Sequence, residues 1–344
     1  MNTYAGSILI FLLVFVSTAG SAQNLENRSP IDDLPSYITR ITHFGQRADW
    51  SHDGQRILFI EKTFGDVFEV NVETGVIRPM THYYFHEGYT RALYLSNGDI
   101  LLSGSRTFDS SNPWESRDEE QAELWVLDKD LTSPPVPLGE HCSEGPAVSR
   151  SNLKIAWVRN NAIFMANISY EGDKPSIRNK EMILNSDNLD FKAYLETQNF
   201  RPPEENEIIF SAYEYQGTEV MGVNIETGEI TNYSHQDNQY DEPEGIYPSG
   251  KYTLVESDRH KSKGKEFQGI QSVDIHRLVL DGSGNYHRIT YFNDHKGYKS
   301  SNPVVSDDGN YIAFQVAHVG DAAGVGRGIF ILDIQKWEKA GMEE

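Results

Sequence analysis

Histidine and acidic side chains recur in the segments that connect the predicted strands of this chain. Neutral imidazoles combined with carboxylates form a ligand set that suits zinc, manganese or nickel. The pattern therefore predicts a shared binding site whose members are His86, His141, Glu144, Asp241, Glu242, Glu244 and His295. Within it, a divalent transition metal would be held by His86, His141 and His295. The alternative is that repeat duplication alone copied the histidines, which also recur as His43, His82 and His235.

A basic segment, Asp258 to Lys265, stands out in an otherwise acidic chain. Its first cationic side chains, Arg259, His260 and Lys261, could attract a carboxylate-bearing sugar that acidic walls alone would repel. The alternative is an ordinary solvated loop.

The elements that must position these side chains are short strands joined by tight turns. The stretch Pro303–Gly309 combines a strand with an Asp-Gly turn, and similar stretches begin at Ala48 and Gly245. Asp-Gly and Asn-Gly pairs favour hairpin turns, because glycine adopts positive φ without strain. Counted by these turns, the chain contains six units of about four strands, a spacing typical of propeller blades.

The last unit has only three predicted strands, which end near Asp333. The segment Tyr37–Thr42 precedes the first unit and is available as the missing strand. Pairing the two removes the open sheet edges that would otherwise invite aggregation. We therefore predict an all-β fold, a six-bladed β-propeller of four-stranded blades closed by an N-terminal strand that completes the last blade. The propeller is expected over 37–335, followed by a C-terminal tail over 336–344.

In such a fold the connections alternate between two faces. The tight-turn face carries the turns between the first and second and between the third and fourth strands of each unit. The long-loop face carries the remaining connections, including the insertions Gly104–Gln121, Ser257–Gly269 and Ala317–Arg327. Because binding residues concentrate on long loops of rigid scaffolds, we expect the binding site on the long-loop face. The tight turns are expected to shape blades rather than to do chemistry.

The charge balance excludes some partner classes. The chain has 51 acidic and 30 basic residues and a formal net charge of −21, which argues against nucleic acid or an anionic membrane surface as a partner. A single cysteine, Cys142, rules out an internal disulfide.

The N-terminal segment predicts export. Residues 1–22 contain no charged side chain, and the apolar run Ile8–Val16 is too short to span a bilayer. Small residues suited to a cleavage site follow, so we interpret 1–22 as a secretory signal peptide and 23–36 as a linker. The mature protein would be periplasmic or secreted and would have no membrane span after signal removal.

The segments Ile41–Phe59 and Ser301–Phe314 resemble the TolB-like six-bladed propellers, a group with WD40-like repeats. The resemblance extends over about Tyr37 to Asp333 and implies a fold more than an activity. More distantly, the chain is similar to oligogalacturonate lyases, which use a metal and a basic residue on one face. For such a lyase, the resemblance implies metal ligands among the histidines above and a base or cation among Arg259, His260 and Lys261.

Two functions follow as hypotheses. The first is a binding or interaction module that uses its long-loop face to bind an envelope protein or a polysaccharide. The alternative is a metal-assisted lyase acting on oligouronides, or a related carbohydrate-active enzyme, at the same face.

Overall fold

The computed structural model describes residues 29–117, 121–142, 145–214, 217–235, 238–262 and 269–341. The predicted signal peptide, the first residues of the linker and Glu144 lie outside these ranges. The described residues form 24 strands and a few short helices. No helix among them is both long and apolar enough to cross a membrane.

Antiparallel strands pair in chain order within each sheet. Unit 1 contains β2 (Gln46–Trp50), β3 (Arg56–Ile60), β4 (Val67–Asn71) and β5 (Ile77–Pro79). Unit 2 contains β6 (Arg91–Tyr94), β7 (Ile100–Ser105), β8 (Ala122–Leu127) and β9 (Val136–His141). Unit 3 contains β10 (Ala147–Val148), β11 (Lys154–Arg159), β12 (Ala162–Glu171) and β13 (Lys174–Asn185).

Two further units share one eight-stranded sheet, because β16 and β18 pair in parallel. Unit 4 contains β14 (Tyr194–Phe200), β15 (Glu207–Tyr213), β16 (Gly217–Asn224) and β17 (Ile230–Asn232). Unit 5 contains β18 (Gln239–Ile246), β19 (Tyr252–Ser257), β20 (Asp274–Val279) and β21 (Tyr286–Arg288). The helix α1 (Arg259–Ser262) follows β19.

The last sheet joins both ends of the chain. Unit 6 contains β22 (Tyr298–Val305), β23 (Tyr311–His318), β24 (Ile329–Asp333) and β1 (Ile38–Arg40). β1 pairs antiparallel with β24, so that Ile38 lies opposite Leu332. The prediction that an N-terminal strand completes the last unit is therefore confirmed. A helix, α2 (Ile334–Gly341), extends into the predicted tail and buries Ile334 and Trp337.

Apolar side chains pack between neighbouring units. The described residues form six buried clusters, each shared by two successive units, and the sixth joins unit 6 back to unit 1. Trp50 of unit 1 and Tyr311 of unit 6, for example, have ring centroids 6.2 Å apart. The first strands of successive units also contact each other, as β14 does β18, and β22 does β2. The first strands therefore line a common axis, and the all-β prediction is confirmed.

The recurring turn motif has the same geometry in units 1 and 6. The Ser51 hydroxyl donates to Asp53 and the Ser306 hydroxyl donates to Asp308, at 2.6 Å in both cases. The glycine that ends each motif has φ of +68° at position 54 and +73° at position 309, which explains the requirement for glycine. The residues that follow these serines, His52 and Asp307, lie near the mouth of a cavity at the tight-turn face.

Candidate functional site

A cavity of about 320 Å³ opens where the first strands of the units reach the tight-turn face. Every unit contributes to its lining, through Ala48, Leu93, Val148, Phe200, Ile246 and Val305. Charged side chains line it as well, namely Asp49, Arg91, Arg150, Glu205, Glu244 and Asp307. An apolar wall with a few convergent polar groups is typical of small-ligand sites. The sequence had favoured the opposite face, whereas this cavity lies beside the tight turns.

An ion network crosses the mouth of this cavity. The Arg150 guanidinium donates from Nε to Asp307 Oδ1 at 2.7 Å, and its Nη1 lies 3.4 Å from Asp49 Oδ1. On the other side of Asp307, Oδ2 lies 2.8 Å from His52 Nδ1. His52 Nε2 is 3.0 Å from the Leu95 carbonyl, so both ring nitrogens face acceptors and the imidazolium form satisfies both.

The network shifts the titration of its members. The hydrogen bond with Asp307 raises the pKa of His52 above its ordinary value. Burial opposes ionisation of Asp307, yet the bond from His52 and the charge of Arg150 lower the pKa of that carboxyl. Burial raises the pKa of Asp49, against the opposing charge of Arg150. The network therefore consists of paired opposite charges that connect units 1, 3 and 6 near the axis.

Deeper in the fold, three glutamates gather in a buried carboxylate cluster, defined as Glu242, Glu244 and Glu256. One side-chain oxygen from each lies within 4.8 Å of the others. Glu242 and Glu256 are opposite each other across β18 and β19, and Glu244 follows Glu242 by two residues on the same strand. Alternation along β18, together with the bulge between Pro243 and Gly245 where Glu244 lies, brings the three side chains together. Glu244 also lines the cavity at the tight-turn face.

Neighbouring units supply hydrogen bonds to this cluster. Asn302 of β22 donates its backbone N–H to Glu256 Oε1 at 2.7 Å and its Nδ2 to Glu244 Oε1 at 2.6 Å. Glu242 accepts from the Tyr213 hydroxyl at 2.5 Å and also from the Tyr240 hydroxyl. The second carboxylate oxygen of Glu256, Oε2, is buried and has no hydrogen-bond partner among the described residues.

Burial makes these carboxyl groups hard to ionise. It raises the pKa of Glu244 to about 8, although the charge of Arg91 opposes the shift. Burial and the nearby charge of Glu242 raise the pKa of Glu256 to about 7. The Arg91 guanidinium lies 3.7 Å from Glu244, too far for a hydrogen bond. The charges of Arg91, Arg47 and Lys299 favour ionisation of these acids, but burial outweighs them.

The predicted histidine ligands are engaged separately. His86 Nε2 lies 2.9 Å from Asp66 Oδ1. His141 ends β9 opposite Glu123, and its Nδ1 is buried and has no hydrogen-bond partner within the part of the chain that the structure describes. His295 lines a different cavity, beside Tyr37. Where the structure describes the chain, the potential metal-binding group of three or more side chains is the carboxylate cluster, and it contains no histidine. Metal binding by these histidines stays a prediction.

The predicted catalytic residues have different surroundings. Arg259 forms a buried ion pair with Asp241, with Nη2 and Oδ2 2.7 Å apart, and lies over the Tyr286 ring at 3.8 Å. His260 Nε2 is 3.0 Å from Asn293 Oδ1, and burial lowers its pKa to about 4. Lys261 is exposed. Among the described residues the three side chains have different contacts, and their catalytic role stays a prediction.

Sequence reasoning missed several residues that the structure brings together. His52, Arg150 and Asp307 each follow the serine of a repeat turn, so equivalent repeat positions meet at the axis. That shared position was the available signal. Glu256 was visible as an acid at the end of an apolar strand segment, but no sequence signal indicated that Asn302 would contact it.

Comparison with known proteins finds similar folds among solved structures. No protein-family model matches the chain, and no curated protein sequence matches it. Among solved structures, U3-55K has a TM-score of 0.51 at 10% identity, covering 86% of this chain and 98% of that chain. The WD40 repeats of RRP9 give 0.50 at 10% identity, covering 86% and 97%. TolB from Acinetobacter baumannii gives 0.47 at 17% identity, covering 92% and 73%.

The fold is a β-propeller. Its structural neighbours include TolB and WD40 propellers, as the repeat motifs had indicated. At these identities the likeness concerns the fold alone, since propellers host unrelated functions. The function of this propeller must therefore be argued from its own surfaces and cavities.

Proposed function

We propose that this propeller is an interaction module that binds a protein partner through its long-loop face. The observation that carries the proposal is a group of aromatic side chains on the connections of units 1 and 2, here called the aromatic patch: the half-buried Phe64 and the exposed Tyr83, Phe85, Phe108 and Trp114. Tyr83 is 72% exposed, Phe85 92% and Trp114 73%. Exposed aromatic groups of this kind mark interaction sites more often than isolated surface leucines do.

Contacts between loops hold the aromatic patch together. The Phe64 and Phe108 rings lie 4.8 Å apart, although one belongs to unit 1 and the other to unit 2. The Phe64 N–H donates to the Tyr89 carbonyl at 3.0 Å, which ties the unit 1 loop to the connection that carries Tyr83 and Phe85. The patch therefore rests on paired loops rather than on a single free one.

Charge suggests the chemistry of the partner. Asp109 and Glu115 are exposed beside Trp114, and the whole chain has a formal net charge of −21. Arg117 also lies over the Trp114 ring, 5.5 Å from its centroid, so both signs of charge surround this anchor. The excess of acidic residues in the whole chain suits a partner surface with basic residues around an apolar centre. Such complementarity increases the rate of association and discriminates against acidic partners.

Photocrosslinking tests this proposal. A photoreactive phenylalanine analogue at Phe85 or Trp114 is expected to trap a discrete adduct in cells that make the protein. The same analogue at Val76 or Tyr311, exposed positions on the tight-turn face, is the matched control and should trap much less. Adducts only from the control positions, or none from any position, would contradict the assignment of the long-loop face.

We propose further that the protein works after export, in the periplasm or outside the cell. The uncharged segment 1–22, with its short apolar run, supports this. N-terminal sequencing of protein recovered from the extracytoplasmic fraction is expected to begin near Gln23. Full-length protein confined to the cytoplasm would refute the export proposal.

Nothing in the described residues favours the carbohydrate lyase alternative. Arg259 forms an ion pair with Asp241, and burial is the main cause of the low pKa of His260. We therefore carry only the interaction proposal forward.

A further inference from the structure

We propose that the carboxylate cluster of Glu242, Glu244 and Glu256 is a binding site for a divalent cation that prefers oxygen ligands, such as calcium or manganese. The site lies between the first two strands of unit 5 and the first strand of unit 6. It is independent of the aromatic patch and of the proposed protein partner.

The size of the cluster fits a single ion. Calcium binds oxygens at 2.3–2.6 Å, so two ligands on opposite sides of one ion are about 5 Å apart. The three glutamate oxygens all lie within 4.8 Å of one another. A single ion can therefore contact all three without large movement of the strands.

A second, independent observation points to a missing ligand. Glu256 is 2% exposed, and its Oε2 atom is buried without a hydrogen-bond donor among the described residues. A buried carboxylate oxygen without a partner costs free energy, and native structures contain few such atoms. A cation at this position would supply the missing partner and remove the repulsion among the three carboxylates.

The donor set selects the class of ion. The cluster offers carboxylate oxygens, and no histidine or cysteine belongs to it. Oxygen ligands suit calcium, magnesium and manganese, whereas zinc, copper and nickel favour nitrogen or sulfur. Magnesium requires nearly ideal octahedral geometry and retains water, so a buried set of this kind suits calcium or manganese better.

The cavity at the tight-turn face gives the ion a route. Glu244 belongs both to the cluster and to the wall of that cavity, whose volume is about 320 Å³. Its acidic lining residues, among them Asp49 and Glu205, attract cations from solvent. Bound to β18 and β19 and held near Asn302, the ion would tie unit 5 to unit 6.

Terbium luminescence tests the site directly, because Tb³⁺ replaces calcium and is excited through nearby tyrosines. Tyr213 and Tyr240 both donate hydrogen bonds to Glu242, so they are placed to sensitise an ion there. Purified protein, stripped with a chelator, is expected to show saturable sensitised emission. Calcium or manganese should displace the terbium, and each should raise the melting temperature of the stripped protein.

Substitutions connect that signal to the cluster. Glu256→Gln is expected to weaken binding by about tenfold or more, since a ligand charge is lost. Without ion, this variant should melt at the same temperature as the wild type or higher, because an unpaired buried acid has been neutralised. Tyr213→Phe should reduce the emission more than the affinity.

The matched control is Glu69→Gln. Glu69 is also a buried glutamate that accepts a tyrosine hydroxyl, from Tyr94 at 2.6 Å, but it lies in unit 1 outside the cluster. Its substitution should leave ion binding unchanged. Wild-type affinity in Glu256→Gln would overturn the proposal. So would the absence both of sensitised emission and of a melting shift with calcium, manganese and magnesium.

Discussion

Arg259→Met is expected to lower the free energy of unfolding by about 3–5 kcal/mol. Asp241, the partner of Arg259, is completely buried, and burial already raises the pKa of its carboxyl against the opposing effect of the guanidinium. Methionine fills much of the volume over the Tyr286 ring but leaves the carboxylate without a counter-charge. Urea denaturation followed by circular dichroism measures the loss.

Two further variants test whether the loss of stability in Arg259→Met comes from the uncompensated charge of Asp241. Lys261→Met changes an exposed cation of the same segment and should alter stability by no more than about 0.5 kcal/mol. Adding Asp241→Asn to Arg259→Met should recover part of the lost stability, because the uncompensated charge is then gone. If Arg259→Met is as stable as the wild type, the Arg259–Asp241 ion pair does not stabilise the fold. Arg259 is then better interpreted as a cation that serves a function.

Removal of residues 1–41 is expected to prevent formation of a stable monomer. This deletion removes β1, exposes the edge of β24 and uncovers the apolar cluster that contains Ile38, Leu332 and Trp337. An exposed, hydrophobic edge strand templates pairing with other chains, so the truncated protein should aggregate. Size-exclusion chromatography and thermal melting measure this outcome.

A peptide added in trans distinguishes loss of the strand from general damage. A synthetic peptide of residues 29–44 contains β1 and should restore a monomeric, cooperatively melting protein. The same peptide with Ile38→Asp is the matched control and should fail, because it places a charge in the apolar cluster. A truncated protein that remains monomeric, with an unchanged melting temperature, would show that closure by β1 contributes little.

The strand order followed from signals that act over a few residues. The serine and glycine of each repeat turn fix a local geometry, as Ser51 and Gly54 do in unit 1, and their recurrence divides the chain into units. The missing strand of unit 6 pointed to the N-terminal segment by simple counting. The turn hydrogen bonds are ones that each copy of the repeat makes for itself. Closure instead pairs Ile38 with Leu332 across almost the whole chain, and it was predictable because the repeat count left the last unit one strand short.

The candidate sites depended on contacts between units. His52, Arg150 and Asp307 are separated by 98 or more positions and meet only because the ring closes. Glu256 and Asn302 likewise belong to different units, and their hydrogen bond depends on the packing of β22 against unit 5. The predicted histidines share a recurring position but have different contacts, because a repeat position specifies a loop and not the direction of its side chain. The sequence by itself determined the repeating strands and their closure. The tertiary structure decided which charged side chains meet near the axis, because those side chains belong to different units and meet only when the units pack around it.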